Sequence, residues 1–331
     1  MRFYNVFLKI LCCVACVAVM LMFLCSFEEN SIITEDSLYD SILIGMLSME
    51  EIIDVSRHSP ESALLQREFT AVLKNNPELY YVSTKFSYDA VGGKIIRLYP
   101  SYSMNETQRE LAREVCNAEI QRALLLIDEN ACDMEKALLL HDYLCLNFSY
   151  DESLSSDNMY SFFDKKQGTC QGYTYTYMAL LRAAGIECTF VASDSMMHIW
   201  NIAKIDGEWY HVDVTWDDYP EMFASVEYDS FLKSDDAIRK TSHRDWFGKE
   251  EIGCNSYKYD NMSFISPLKS FIGTGDVNCD GTLDVLDLVL LESEKGQFPN
   301  NHAFLIPAAD IDGDRALTDI DSALIRQSVL G

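Results

Sequence analysis

The sequence predicts an α+β chain that ends in a small all-α module, on three observations. Helical patterns over Glu106 to Asp128, Asp133 to Leu146 and Cys170 to Ala184 are followed by three strand patterns from Thr189 to Val214. The pair Asp206-Gly207 joins the last two strands as a tight antiparallel hairpin. Residues 276–331 carry one acidic loop twice, each copy running into a short apolar helix. With 331 residues, 48% hydrophobic and 12% aromatic, the chain has material for two or three domains around a sizeable core.

The elements follow in order. Arg2 and Lys9 flank the start of an apolar run from Ile10 to Cys25, which suits a secretory signal and is slightly short for a spanning helix. Residues 1–27 are read as a signal peptide or, if uncleaved, a membrane anchor, so the protein is expected outside the cell. Residues 28–130 form an N-terminal α/β accessory region. In it, Glu61 to Lys74 has Leu64, Leu65, Phe69, Val72 and Leu73 at helical spacing and stops before Asn75-Asn76-Pro77. Leu79 to Tyr88 and Lys94 to Tyr99 are strand patterns joined at Gly92-Gly93. Glu106 to Asp128 is a long helix, started by Asn105 with Gln108 three residues on.

Residues 131–265 form the next domain. Asp133 to Leu146 is a helix, Tyr150 to Asn158 a polar loop, and Cys170 to Ala184 a helix ended by Gly185. The strands are Thr189–Ala192, His198–Ile205 and Trp209–Val214. Residues 266–275 are a linker.

The net charge of −26 argues against nucleic acid and anionic membrane as partners, leaving membrane contact only through an uncleaved N-terminal segment. Of the 11 cysteines, Cys12, Cys13, Cys16 and Cys25 lie in that segment. The rest (Cys116, Cys132, Cys145, Cys170, Cys188, Cys254 and Cys279) are irregularly spaced with no CxxC pair. They suit neither a disulfide framework nor a zinc site. Free thiols in an exported protein fit an anoxic setting.

The first acidic loop runs from Asp276 to Asp287 and the second from Asp310 to Asp321. Side-chain oxygens fall at loop positions 1, 3, 5 and 12, as in a loop that wraps a hard cation such as Ca²⁺. The expected ligand set is Asp276, Asn278, Asp280, Thr282, Asp284 and Asp287 in the first loop, and Asp310, Asp312, Asp314, Ala316 and Asp321 in the second. Arg315 at position 6 and Thr318 at position 9 predict weaker binding in the second. The repeat resembles the dockerin module of bacterial extracellular proteins. That resemblance implies two Ca²⁺ sites, an all-α fold and a cohesin domain of a scaffold protein as partner.

The densest chemical signal is Gly168-Thr169-Cys170-Gln171-Gly172-Tyr173. Cys170 stands at a predicted helix start, where unpaired N–H groups and the helix dipole favour thiolate. Gly168 and Gly172 are expected to leave room for a substrate. His198 lies in Met197-His198-Ile199-Trp200-Asn201, and Asp213 in Trp209-Tyr210-His211-Val212-Asp213-Val214-Thr215-Trp216-Asp217-Asp218. The Asp206-Gly207 hairpin lays their strands side by side. An Asp there can fix the tautomer and orientation of the imidazole.

This order of motifs resembles the bacterial transglutaminase-like superfamily, from about Asp133 to Asp218. The resemblance implies a papain-like α+β core, a Cys helix packed on an antiparallel sheet. It also implies Cys170 as nucleophile, His198 as general base and acid, and Asp213 as orienting residue. Ile199 replaces the family's more usual Ala. His211 is expected as a neighbour or rim group, His141 and His243 as structural residues, and Trp200, Trp209 and Trp216 as core and cleft walls. Tyr173, Tyr175 and Tyr177 do not share one helical face, so some of them reach the surface or the cleft. Tyr160 is expected to help shape the oxyanion site.

The expected protein is a secreted, scaffold-docked (cellulosome-type) cysteine enzyme with no organic cofactor. It would act on peptide or amide bonds of a peptide or protein substrate through a thioester, as a peptidase or amidase. The alternatives are a protein-crosslinking transglutaminase and a non-catalytic binding module delivered by the dockerin.

Overall fold

The computed structural model describes residues 37–128, 130–218, 226–246, 252–271, 273–277, 281–294, 306–312 and 318–330. The expected signal or anchor, residues 1–27, lies outside them. The chain forms two compact units, one of Met1–Val72 with Thr84–Ser101, the other of Leu73–Ser83 with Tyr102–Gly331.

The first unit holds α1 (Leu38–Leu47), β1 (Ile53–Asp54), most of α2 (Ser62–Asn75), β2 (Val82–Val91) and β3 (Lys94–Tyr102). The strands form one sheet in the order β1-β3-β2. Leu65, Phe69 and Val72 of α2 are buried, as the helical spacing predicts, whereas Leu64, expected on the same face, is exposed. Helix α1, which the sequence reading left out, starts where the Ser37 hydroxyl accepts the Asp40 N–H at 3.1 Å. β2 begins at Val82 and not at Leu79, because Pro77 starts a single 3₁₀ turn over Pro77–Leu79.

The second unit begins with α3 (Glu106–Leu125), whose start is closed by the Asn105–Gln108 capping box. It ends earlier than the expected Asp128. Cys116, Ile120 and Ala123 carry α3 into the main core, so it is not part of the accessory region expected over 28–130. Next come α4 (Asp133–Asn147), β4 (Ser149–Tyr150), α5 (Met159–Lys165), β5 (Gln167–Gly168) and α6 (Cys170–Ala183). Then come β6 (Cys188–Ser193), β7 (His198–Ile205), β8 (Glu208–Val212), α7 (Val214–Asp217), β9 (Phe231–Lys233) and α8 (Asp235–Ile238). The sheet order is β6-β7-β8-β9, antiparallel throughout.

Helix α6 packs on β6 and β7 and is flanked by α3, α4 and α5. Tyr173, Tyr177, Met178, Leu180 and Leu181 form its buried face. Each such side chain contributes roughly 1.5–3 kcal/mol by leaving water, so the start of α6 is held on a rigid base. Tyr175, half-buried, is the member of the tyrosine stripe that turns outward. At the β7–β8 turn, Asp206 (φ 53°) and Gly207 (φ 86°) are both left-handed, the geometry that matches strand twist in a two-residue hairpin.

The C-terminal segment is helical, with α9 (Val285–Glu294), α10 (Ile306–Ala309) and α11 (Asp319–Leu330). Val277, Leu291, Ala309 and Ile325 form its buried cluster. Among the described residues, no helix is long and apolar enough to cross a membrane.

Candidate active site

The loop before α6 is fixed by backbone bonds. The Thr169 N–H donates to Ser156 O at 2.9 Å, and the Asp151 N–H to Gly168 O at 2.9 Å. The Thr169 side chain caps α6 by accepting the Gly172 N–H, which leaves half-buried Cys170 as the first helical residue. Gly168 and Gly172 do not make room for a substrate, as the sequence reading expected. A Cβ on Gly168 would meet the Phe162 ring at 2.1 Å, and one on Gly172 the Ser156 carbonyl at 2.6 Å. Both glycines let the loop and α5 pack tightly beneath the thiol.

His198 opens β7 and Asp213 follows the end of β8. The register pairs Asn201 with Val212, so the two residues stand diagonally across the ends of the strands. His198 Nε2 lies 2.5 Å from Asp213 Oδ2. Cys170 lies close enough to His198 to help raise the imidazole pKa, and with Nε2 engaged at Asp213, Nδ1 is the nitrogen left to face the thiol. Cys170, His198 and Asp213 are thus brought together in one chain of contacts.

The expected third strand stops at Val212, because Asp213 caps α7. Its Oδ1 accepts the Thr215 and Trp216 N–H groups at 3.1 and 3.3 Å. One carboxylate therefore caps a helix with one oxygen and faces an imidazole with the other. Burial alone lowers the His198 pKa, but the charge and hydrogen bond of Asp213 outweigh it and hold the ring well above its ordinary value. Burial raises the Asp213 pKa, and the charge and hydrogen bond of His198, with the hydrogen bond of His243, bring it below the usual carboxylate range.

Aromatic rings enclose His198. Trp200, buried, stacks on it at 5.6 Å, and Trp216, 40% exposed, lies 5.5 Å away on the solvent side. Trp209 is half-buried beside Lys204. Tyr150, next to the loop, lies close enough to Cys170 to feel its charge. Tyr160 packs at 5.6 Å from Tyr80, and no contact places it at the thiol.

The other histidines depart from expectation. His211 is a core residue and not a rim group. Its Nδ1 accepts the Trp200 indole N–H at 3.0 Å and its Nε2–H donates to Asp235 at 2.9 Å, so the group with Cys254 is complete without an ion. His243, expected to be structural, reaches Asp213 Oδ2 with Nε2 at 2.8 Å. No motif signals that contact, since His243 stands alone in the sequence, far from both strands.

His141 on α4 is fully buried between Asp142 (2.9 Å) and Asp217 (3.3 Å). Burial would lower its pKa, but the two carboxylates raise it. Asp217 ends α7, so this pair braces the helix that Asp213 caps.

The two acidic loops repeat one bonding scheme. In the first, the Asp287 carboxylate accepts the N–H groups of Val277 (2.7 Å) and Asp284 (2.8 Å). In the second, Asp321 accepts those of Ile311 (2.9 Å) and Thr318 (2.8 Å). Asp276 Oδ2 accepts the Gly281 N–H at 2.8 Å. Carboxylate oxygens of Asp310, Asp312 and Asp321 lie within 4.8 Å of one another. Asp284, at position 9, turns its side chain to cap α9 at the Leu286 N–H (2.7 Å). Thr282, at position 7, lies among the described residues, whereas Asn278, Asp280, Asp314 and Ala316 fall outside them.

Residues 125–214 match the family model of the Transglutaminase-like superfamily. No curated protein matches the chain. A solved structure titled "Crystal structure of a TGase" aligns at 10% identity and a TM-score of 0.29, over 47% of this chain and 48% of that one. The protein carries a transglutaminase-like domain within a mixed helix-and-sheet fold.

Proposed function

We propose that the transglutaminase-like domain is a cysteine enzyme acting on peptide or amide carbonyls through Cys170, His198 and Asp213. The observation that carries this reading is the chain of contacts from the thiol through the imidazole to a buried carboxylate. Aspartate, an acceptor only, holds a proton on Nε2, and the raised pKa of His198 lets Nδ1 take and keep the thiol proton, so the reacting pair is thiolate and imidazolium. The sulfur then attacks the carbonyl carbon and the C–N bond breaks. The imidazolium gives its proton to the leaving amine, and an acyl thioester remains on Cys170. Water, deprotonated by His198, releases the acid and restores the thiol. Hydrolysis is favoured over transfer to an amine, because water is abundant and nothing in the chain marks an amine site.

Residues 276–331 are read as a Ca²⁺-binding dockerin module that attaches a secreted enzyme to a cohesin-bearing scaffold of the cellulosome type. The donor set suits a hard cation, since every candidate atom is oxygen. Among the described residues, Asp276, Asp287, Asp310, Asp312 and Asp321 would hold the two ions. The N–H bonds to Asp287 and Asp321 leave further lone pairs for a cation. A bound ion would offset the repulsion among these carboxylates.

The test is an acyl electrophile directed at thiols, followed by peptide mapping and by hydrolysis of a peptide library. An adduct on Cys170 and loss of hydrolysis in Cys170→Ala are expected. Undiminished hydrolysis in that variant would end the reading.

A further inference from the structure

We propose that His243 is a positioning residue of this site: it pins the Asp213 oxygen that orients His198 and draws off part of its charge. The inference rests on the reading of Cys170, His198 and Asp213 as the reacting set.

A half-buried imidazole and a fully buried one converge on one oxygen. Asp213 Oδ2 meets His198 Nε2 at 2.5 Å and His243 Nε2 at 2.8 Å. Oδ1 holds the Thr215 and Trp216 N–H groups. An ionised carboxylate offers about four lone-pair sites, so these four donors fill it. It cannot rotate without breaking at least two bonds. His243 is itself fixed. It is 0% exposed, its Nδ1 lies 2.8 Å from Thr241 Oγ1, and that hydroxyl donates to Ile238 O at 2.8 Å. Its ring is held against Trp216 at 4.2 Å and Trp200 at 4.8 Å. Among the described residues, the titratable groups facing it are Asp213, His198 and His211.

Packing alone does not call for a second donor on that oxygen, because each donor weakens the hold on the other. The consequence has a direction. A His243 N–H on Oδ2 lowers the negative charge felt by His198. Without it, His198 keeps its proton to higher pH, and the carboxylate can turn.

The test uses the full chain, with p-nitrophenyl acetate as acyl donor and NMR titration of the imidazole Cε1–H signals. His243→Leu is expected to lower kcat roughly 10- to 100-fold with KM unchanged, the scale of a small misplacement at a reacting group. It should raise the His198 titration midpoint by about 0.5–1 unit. His243→Gln keeps an N–H within reach of Oδ2 and should restore most of both quantities. Wild-type kcat with an unmoved His198 midpoint in His243→Leu overturns the inference. So does a loss of activity in both variants that tracks only melting temperature while His198 stays unmoved. If His243→Leu does not fold, Thr241→Val, which frees Nδ1, decides by the same two readouts. Cys170→Ala separates the two proposals. Activity retained there sinks the cysteine reading, whereas a dead Cys170→Ala beside a wild-type-like His243→Leu sinks only the role of His243.

Discussion

Asp213→Asn is expected to abolish most turnover while keeping the fold, and the geometry gives the reason. Oδ1 accepts two N–H groups at the start of α7, and only an oxygen can do so. The amide oxygen must therefore take that place, which turns the NH₂ toward His198 and His243. His198 Nε2 then accepts, and its proton moves to Nδ1, the side facing Cys170. The ring can no longer take the thiol proton. The same swap in a serine-protease triad costs about 10⁴-fold by the wrong tautomer. Here roughly 10³- to 10⁴-fold is expected, about 4–5.5 kcal/mol in the barrier. Stability should fall by only about 1–2 kcal/mol, because neutral His198 strands no charge and the cap survives. Asp213→Ala should cost about 1 kcal/mol more through the lost cap. Single-turnover acylation with an activated ester, alongside thermal unfolding by circular dichroism, measures both. Turnover within tenfold of wild type by a folded Asp213→Asn protein would refute the orienting role.

Three further outcomes follow from the described geometry. Among the described cysteines, Cys116, Cys145, Cys188 and Cys254 are buried, so of these six iodoacetamide should reach Cys170 and exposed Cys132. Cys170 should react at least about tenfold faster than Cys132, through its closeness to His198, and equal rates would count against that closeness. Chelation by EGTA should open residues 276–331 of the full chain to limited proteolysis, with the Asp276→Ala/Asp287→Ala pair acting more strongly than Asp310→Ala. Cleavage indifferent to Ca²⁺ would remove the dockerin reading. Burial pushes the Asp218 carboxyl up to about 7 against a hydrogen bond from Tyr173. The folded state then binds more protons than the unfolded between about pH 4 and 7, so the stability owed to this group is full below that window and is lost as pH rises through it. Asp218→Asn should therefore raise the melting temperature near pH 8 and match wild type near pH 4; a uniform change at both would show that the carboxyl does not titrate there.

Local chemistry was readable from the sequence wherever neighbouring residues decide the outcome. Asn105 and Gln108 satisfy each other's backbone within one turn, so the start of α3 followed from two letters. Asp206-Gly207 announced its hairpin for the same reason, and the motif around Cys170 placed the thiol at a helix start. The misreadings arose where contacts come from distant segments. Gly168 and Gly172 look like open space in the sequence because the groups that fill it, Phe162 on α5 and Ser156 in the loop before α5, lie on other segments. Asp213 is an exception: its cap partners Thr215 and Trp216 are local, and an Asp at the end of a strand pattern is equally open to pairing or to capping. His243 carries no motif signal, and the motif that contains Asp217 does not show its grouping with His141 and Asp142. These contacts are assembled by the fold, from segments separated by dozens of residues.

The hairpin at Asp206 and Gly207 looks, from outside, like a surface turn that would accept an insertion. Asp206 ties it down by accepting from Lys258 Nζ at 2.5 Å and from the Tyr259 hydroxyl at 2.9 Å. The turn also counts the residues between His198 and Asp213. One residue more or fewer would change the β7–β8 pairing by a single step, and a single step sends alternate side chains to the opposite face. An inserted tag or a natural length variant here would thus separate imidazole from carboxylate without touching either. The Gly92-Gly93 hairpin, which joins strands holding none of these residues, is the place for a label or fusion, and length variation among natural versions of this chain should divide between the two turns in the same way.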